Sequence, residues 1–219
     1  MALPSRETPL RERAYQSFKE HLLSRDIRPG QFLSQRELVA ITGMPLGAIR
    51  ELVPRLEADG LIITVPQRGL QVAHVDIDLI RNAFQLRQIL ELEAVGHFCR
   101  AASEAEIADL HAQHIAIRQE TLDDLTPDLV TRAQNLDWAF HDRMIDSLGN
   151  ALIANVYRVN AVKIRLIRQE RTRLLPELAT AVMDEHLKVL DALVARDAPA
   201  ATEALAQHID IARRRALGV

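Results

Sequence analysis

The chain has 219 residues, of which 48% are hydrophobic and only 4% aromatic, so it can fill one large core or two small ones and favours helices over sheets. Its one cysteine, Cys99, excludes an internal disulfide and is typical of a protein from a reducing compartment. The net charge of −3 argues against a generic nucleic-acid binder, and without an apolar run of about 18 residues or a signal-peptide core we expect a cytoplasmic protein that does not enter the membrane.

Two helices are predicted at the start of the chain. The first covers roughly 8–25, where apolar side chains recur every four residues. Ser34 and Glu37 have the spacing of a capping box, in which each side chain accepts a hydrogen bond from the other residue's backbone N–H. The second helix is therefore expected to begin directly after Ser34.

A third helix and a hairpin follow. Pro45 suits the first position of this helix, whereas Pro54 inside it predicts a kink or a reoriented second half. Ile62–Val65 and Leu70–Val75 read as two short strands joined by a turn. Three helices followed by a two-stranded hairpin indicate a winged helix-turn-helix domain over residues 1–75.

Residues 76–219 predict an all-helical bundle, because no strand pattern occurs and the connections are short. Helices are expected over 77–101, 104–121, 127–147, 151–172, 177–196 and 199–216. This part carries 17 Lys or Arg and 22 Asp or Glu, whereas residues 1–75 carry 10 and 8, so the excess of positive charge lies in the part predicted to meet phosphate. The expected fold class is mainly α.

Several residues of the front domain are placed to contact DNA. In a winged helix-turn-helix the second helix of the motif enters the major groove, and the hairpin tip meets the backbone or the minor groove. The candidates on the two helices of the motif and the wing tip are Arg36, Arg50, Gln67, Arg68 and Gly69. Each arginine alone could be ordinary solvated surface, but their joint placement indicates DNA binding.

The run from Arg25 to Val72 resembles the N-terminal domain of GntR-type transcription regulators. The resemblance is carried by Pro29-Gly30, Leu33-Ser34, Arg36-Glu37-Leu38, Arg50-Glu51, Gly60-Leu61 and Arg68-Gly69. The chain departs from the family at Pro45-Leu46-Gly47-Ala48, where the usual sequence is Ser-Arg-Thr-Pro. Leu46 can contact a thymine methyl group but cannot donate to guanine, so we expect an operator unlike the usual family sequence.

Four polar side chains interrupt the apolar stripes of the helical half. Asp137 and His141 lie one turn apart, and His186 and His208 lie on two later helices. A buried carboxylate costs several kcal/mol unless it is paired or bound to a metal. One carboxylate and three imidazoles suit a divalent metal ion, with zinc as the first choice and nickel, manganese or iron as alternatives.

Other interpretations of these residues stay open. A histidine on an apolar helix face is more often an ordinary core residue than a ligand. His111 and His114, three positions apart on one helix, form a fallback ligand pair. A metal-dependent hydrolase-like enzyme is a further alternative, with Glu185 as its base, although a helix turns Glu185 about 100° away from its neighbour His186.

Residues 77–216 resemble the ligand-binding domain of the FadR-like (FCD) branch of GntR regulators. The similar segments are FQLRQILELEAVG, LDWAFHDRM, GNALI, EHLKVLDALVARD and ALAQHID. This branch often binds a metal through one Asp and three His, so the resemblance implies that the four residues are its ligands. It also places Arg87 near an effector cavity, although a salt bridge from Arg87 to Glu91 or Asp137 is an equal alternative. Asn160, whose position along its helix places it toward the interior, is a weaker candidate for an effector contact.

These observations predict a ligand-responsive transcription regulator and not an enzyme. It would repress transcription from double-stranded operator DNA as a homodimer, because two recognition helices match two half-sites. A metal with an open position would bind a small organic acid effector. The alternative for the metal is a purely structural role.

Overall fold

The computed structural model describes residues 9–172 and 176–219. The chain divides into two units, Met1–Asp76 and Ile77–Val219. Helices form most of the secondary structure in both units, and the first also holds a small sheet. This confirms the mainly α fold, with an N-terminal winged helix-turn-helix and a C-terminal helical bundle.

The first unit contains three helices and three strands. They are α1 (Leu10–Leu23), β1 (Phe32–Leu33), α2 (Gln35–Thr42), α3 (Leu46–Ala58), β2 (Ile62–Val65) and β3 (Gly69–Val72). Phe18, Leu38 and Ile49 come from the three helices and are completely buried, so one face of each helix builds the core. The predicted first helix is confirmed over Leu10–Leu23, and residue 8 lies outside the described residues.

The predicted capping box at α2 is confirmed in both halves. The Ser34 hydroxyl accepts a hydrogen bond from the backbone N–H of Glu37 at 3.2 Å. The Glu37 carboxylate accepts one from the backbone N–H of Ser34 at 2.7 Å. Gly43, with a φ of 66°, ends the helix in the left-handed conformation.

Helix α3 runs without a break through Pro54, so the prediction of a reoriented second half is wrong. Pro54 lacks the N–H that would bond to the carbonyl of Arg50, but both residues are exposed and water can reach that carbonyl. The buried side chains of Leu52 and Leu56 flank the proline and hold the helix against the core. Pro45 is the N-cap residue and not the first helical residue.

The wing is a three-stranded antiparallel sheet in the order β1-β3-β2, and not the two-stranded hairpin expected from sequence. In the additional strand, Phe32 pairs with Gln71 and Leu33 with Leu70. The backbones are close at Gly69, where an added Cβ would lie 2.9 Å from the carbonyl oxygen of Leu33. A glycine is required there both by this approach and by its φ of 92°.

The second unit is built from helices. They are α4 (Ile77–Ala101), α5 (Glu104–Asp123), α6 (Pro127–Ser147), α7 (Ala151–Ile167), α8 (Pro176–Val194) and α9 (Ala198–Leu217), with a π-helical segment at Arg168–Thr172 directly after α7. The bounds differ from the predicted ones by at most two residues, except that the last turn predicted for α7 is π-helical. Helix α4 packs against α6, α7 and α9, and α8 packs against α5, α6 and α9. Polar groups on α4, α6, α8 and α9 can therefore meet in one interior.

Among the helices that the structure describes, none is both long enough and apolar enough to cross a membrane.

A pair of glycines tests the left-handed end of α2. Gly43→Ala should destabilise the protein by about 1–2 kcal/mol, because an L-residue is strained in that conformation. Gly47→Ala is the matched control, since at both positions an added Cβ meets no described atom within 4 Å, but Gly47 lies inside α3. It should stabilise the protein by up to about 1 kcal/mol. Urea unfolding followed by circular dichroism measures both, and equal effects would contradict this account.

Candidate functional site

The four residues predicted as metal ligands lie together in the interior of the second unit. One ligand atom of each of Asp137, His141, His186 and His208 lies within 4.8 Å of all the others. The His186 Nε2 atom is 3.3 Å from Asp137 Oδ1 and 3.4 Å from His208 Nε2. Each of the four residues is at most 3% exposed. We refer to these four residues as the acid–histidine cluster.

The ring nitrogen of His208 that points away from the cluster, its outer nitrogen Nδ1, is held by a carboxylate. His208 Nδ1 donates to Glu185 Oε2 at 2.8 Å, and Arg215 also pairs with Glu185. Burial, followed by the neighbouring His186 and His141, lowers the pKa of His208 well below its usual value. His208 is therefore neutral at pH 7, and its Nε2 presents a lone pair to the cluster.

The outer nitrogen of His186 is held by another histidine. His114 Nδ1 donates to the Leu110 carbonyl at 2.7 Å, and burial, with the neighbouring His186, lowers the pKa of His114 to about 4. The His114 Nε2 atom of this neutral ring is therefore an acceptor, 3.3 Å from His186 Nδ1. His186 Nδ1 faces this acceptor, and His186 Nε2 is turned toward the cluster.

The outer nitrogen of His141 faces a buried glutamate. His141 Nδ1 lies 2.8 Å from Glu91 Oε2, and Arg87 Nε donates to the other oxygen of Glu91 at 2.7 Å. Burial opposes the ionisation of Glu91, but Arg87 and His141 outweigh it and lower the pKa of Glu91 to about 2. Burial also lowers the pKa of His141. All three rings of the cluster thus turn Nδ1 outward and Nε2 inward.

The centre of the cluster consequently collects hydrogen-bond acceptors. Asp137 Oδ1 is buried, and among the described residues it has no hydrogen-bond partner. The Nε2 atoms of His186 and His208 lie 3.4 Å apart and face each other. Converging acceptors repel one another unless a cation lies between them, and three imidazole nitrogens with one carboxylate oxygen suit a divalent transition metal. The residues present therefore fit the metal expected from sequence.

Two arginines supply positive charge at the edge of the cluster. Arg87 Nη2 donates to His141 Nε2 at 2.7 Å. Arg168, the first residue of the π-helical segment, pairs through Nη1 with Asp137 Oδ2. Burial opposes the ionisation of Asp137, but Arg168, followed by His186 and His141, outweighs it and holds the pKa of Asp137 well below its usual range.

Two small cavities flank these arginines, and Arg87, Asp137 and Arg168 line both of them. The first cavity, of about 20 Å³, also meets Trp138 and Tyr157. The second, of about 30 Å³, is also lined by Leu178, Val182, His208, Ala212 and Arg215. Each has room for about one water molecule. Arg87, Asp137 and Arg168 therefore border both voids.

The other site residues considered from the sequence have different roles in the structure. His111 pairs with Asp191 near the surface at 2.9 Å, whereas His114 supports His186, so the two do not form a ligand pair. Asn160 donates to the Ala83 carbonyl at 2.9 Å and is not among the described residues that line either cavity. Arg87 forms the salt bridge to Glu91 that the sequence allowed and also reaches the cluster.

Sequence reasoning missed three residues that orient the imidazoles, namely Glu91, His114 and Glu185. Glu185 was weighed only as the base of a hydrolase, but its carboxylate binds the outer nitrogen of His208 and does not face the centre of the cluster. The available signal was chemical. Each is a titratable residue that interrupts the apolar side of a helix, as the four cluster residues do.

The predicted DNA contacts lie on the exposed side of the first unit. Arg36 on α2, Arg50 on α3, and Gln67 and Arg68 in the turn between β2 and β3 are all exposed. The Arg68 guanidinium lies over the Phe32 ring, 4.2 Å from its centroid. Leu46, the first residue of α3, is 38% exposed. The close approach at Gly69 is made to β1, so this glycine shapes the wing itself.

Comparison with known proteins assigns the family. Residues 10–72 match the family model described as bacterial regulatory proteins of the gntR family, and residues 82–211 match the FCD domain. An uncharacterized HTH-type transcriptional regulator in an unstable DNA locus of Streptomyces ambofaciens is 28% identical over 209 residues, which cover 92% of this chain and 85% of that protein. The HTH-type transcriptional repressor RspR of Escherichia coli K12 is 27% identical over 214 residues, covering 92% and 86%.

A solved structure shares the fold as well. The structure of E. coli McbR/YncC superposes with a TM-score of 0.76 at 18% identity, covering 94% of this chain and 95% of that one. The two relatives named above are transcriptional regulators and not enzymes, as expected from the sequence. The chain belongs to the GntR family of DNA-binding transcription regulators, with a winged helix-turn-helix that is followed in sequence by an FCD domain.

Proposed function

We propose that this regulator is a homodimeric repressor whose affinity for its operator is controlled by a small organic acid bound beside a divalent metal in the FCD domain. The convergence of four acceptor groups in the acid–histidine cluster supports the metal and carries the proposal. A metal there would join α6, α8 and α9 and could offer its remaining positions to a ligand oxygen. Zinc is the first choice by ligand type, before nickel, manganese or iron.

The effector class follows from the charge around the cavities. Arg87 lines both voids and carries a planar guanidinium, which can form two parallel hydrogen bonds to a carboxylate. The apolar side chains of Leu178 and Val182 line the second void, so the molecule bound there has a short hydrocarbon part. We assign the effector contact to Arg87 and not to Asn160, whose amide serves the Ala83 carbonyl.

Repression and dimerisation rest on the family. Relatives of this chain include proteins named as transcriptional repressors, RspR and GlaR of E. coli. A homodimer would place two recognition helices on two half-sites of one operator. The effector can change operator affinity only by the difference between its affinities for the two conformations of the regulator.

Metal content tests the four ligands. After incubation with Zn²⁺ and desalting, the wild-type chain should retain about one zinc ion, as expected for a site with three imidazoles and one carboxylate. His208→Ala removes one ligand and should lose most of this zinc. His111→Ala is the control, since His111 pairs with Asp191 near the surface. Mass spectrometry of the bound metal gives the answer, and equal zinc in wild type and His208→Ala would refute the site.

Zinc affinity also tests the orienting carboxylate. Glu185→Gln keeps the size of the side chain but removes the charge that fixes His208, so zinc should bind about 10–100-fold more weakly. Glu203→Gln, an exposed residue of the same helix as His208, should leave the affinity unchanged. Competition with a chromophoric chelator measures both. Indistinguishable affinities would mean that Glu185 does not support the ligand.

Salt dependence tests the DNA surface. A duplex selected by the wild-type chain from a random-sequence pool should bind with a steep loss of affinity as salt is raised. If Arg50 on α3 contacts a phosphate, Arg50→Ala should reduce the slope of log K against log salt by about 1. Arg132→Ala, an exposed residue of α6 that pairs with Glu120, is the control. Fluorescence anisotropy gives the slopes, and a flat wild-type response would exclude the phosphate contacts.

A further inference from the structure

Among the described residues that line the two cavities, positive and negative side chains are paired. The four arginines among these residues each pair with a carboxylate: Arg87 with Glu91, Arg168 with Asp137, Arg215 with Glu185 and Arg165 with Asp142. Arg87 and Asp137 are at most 5% exposed through their side chains. Uncompensated charge in such surroundings is strongly unfavourable.

A divalent cation in the cluster upsets this balance by two positive charges. The three imidazoles are neutral ligands and Asp137 is already paired, so the ligands themselves add no negative charge to offset the ion. A monoanion would leave one positive charge in the interior, whereas a dianion would remove the excess. The second negative group of that dianion needs a cation of its own to bind.

Arg168 is placed to be that cation. Its guanidinium contacts the cluster only through Asp137 Oδ2 among the contacts described for it, and its side chain is 15% exposed, so it has a path outward. Arg87 differs, because its Nε is tied to the completely buried Glu91. Once Asp137 binds a metal, its charge is shared with the ion and its attraction for Arg168 falls.

The small size of the two cavities supports a movement of Arg168 when an effector binds. With this side chain on Asp137, the two voids of about 20 and 30 Å³ are each too small for an organic acid. Arg168 lines both, so its withdrawal from Asp137 would enlarge the space beside that carboxylate. It also begins the π-helical segment, a helix form that occurs frequently at functional sites.

We propose that Arg168 is an exchangeable counter-ion, which neutralises Asp137 in the metal-free protein and, once a divalent metal takes Asp137, binds the second carboxylate of a compact dicarboxylate effector. This inference rests on the proposed metal and effector site and narrows its ligand from organic acids in general to dianions. Arg168 is thereby the residue that determines specificity.

Metal affinity is the first test. Arg168→Gln removes the cation that competes for Asp137, so Zn²⁺ alone should bind about tenfold more tightly or better, as measured by chelator competition. Arg158→Gln is the matched control, since Arg158 lies on α7, the helix that leads into the π-helical segment, and pairs with an aspartate of α6, Asp146. An unchanged affinity in Arg168→Gln would overturn the counter-ion role.

Ligand preference is the second test. The zinc-loaded full chain would be titrated by calorimetry with malonate, succinate and glutarate, and with the monoamide of each, which has the same shape and one charge fewer. Wild type and Arg158→Gln should bind the best dianion about tenfold more tightly than its monoamide, or better. In Arg168→Gln this ratio should fall to about twofold or less, and Arg168→Lys should restore part of it. Retained zinc and an unchanged circular dichroism spectrum show that the variants fold.

The outcomes separate the two proposals. If wild type binds zinc and a carboxylate but Arg168→Gln keeps the full preference for dianions, only the role of Arg168 is refuted. If no dianion binds the zinc-loaded wild type better than its monoamide, the dianion class is refuted and the metal remains. If wild type binds no zinc at all, the proposed function and this inference fail together.

Discussion

Polar atoms that face one another in a buried interior determine the design of the FCD domain. His186 Nε2 lies 3.3 Å from Asp137 Oδ1 and 3.4 Å from His208 Nε2, and the outer nitrogen of each of these two rings faces a partner on another helix. Such an arrangement is costly without positive charge. Arg87 and Arg168 supply that charge in the structure, and a divalent ion would supply more of it at the point where the acceptors meet.

The support for the cluster is spread over most of the domain. The outer nitrogens of the three rings are oriented from different helices, by Glu91 on α4, His114 on α5 and Glu185 on α8. Each ligand ring is thereby linked to a helix other than its own. Binding or release of an ion at the acid–histidine cluster would therefore act on several helices together. An effector needs such a coupled set of helices in order to favour one conformation over another.

The sequence was sufficient to predict the long helices and the meeting of the four cluster residues, because both leave a periodic signal. The helix bounds predicted for α4 and α6 agree with the structure, and all four ligand candidates meet. Strand β1 was missed because two residues cannot display a period, and the π-helical turn because its composition is that of an ordinary helix. The partners of the imidazoles depend on contacts between residues far apart in the chain, such as His114 with His186, and spacing alone does not predict them. The effect of Pro54 was misjudged because the cost of a proline inside a helix depends on whether the carbonyl that loses its N–H partner, here that of Arg50, is exposed to water.

The geometry of the wing depends on β1, the short strand between α1 and α2, as well as on the residues of its own turn. Phe32 forms the platform for the Arg68 guanidinium, and the backbone of Leu33 closes against Gly69. The arginine at the tip is thus held by a residue more than 30 positions earlier in the chain, with less rotational freedom than a free side chain would have. A change of the aromatic ring at Phe32 can therefore alter how the guanidinium at the wing tip is presented, while α3 stays as it is.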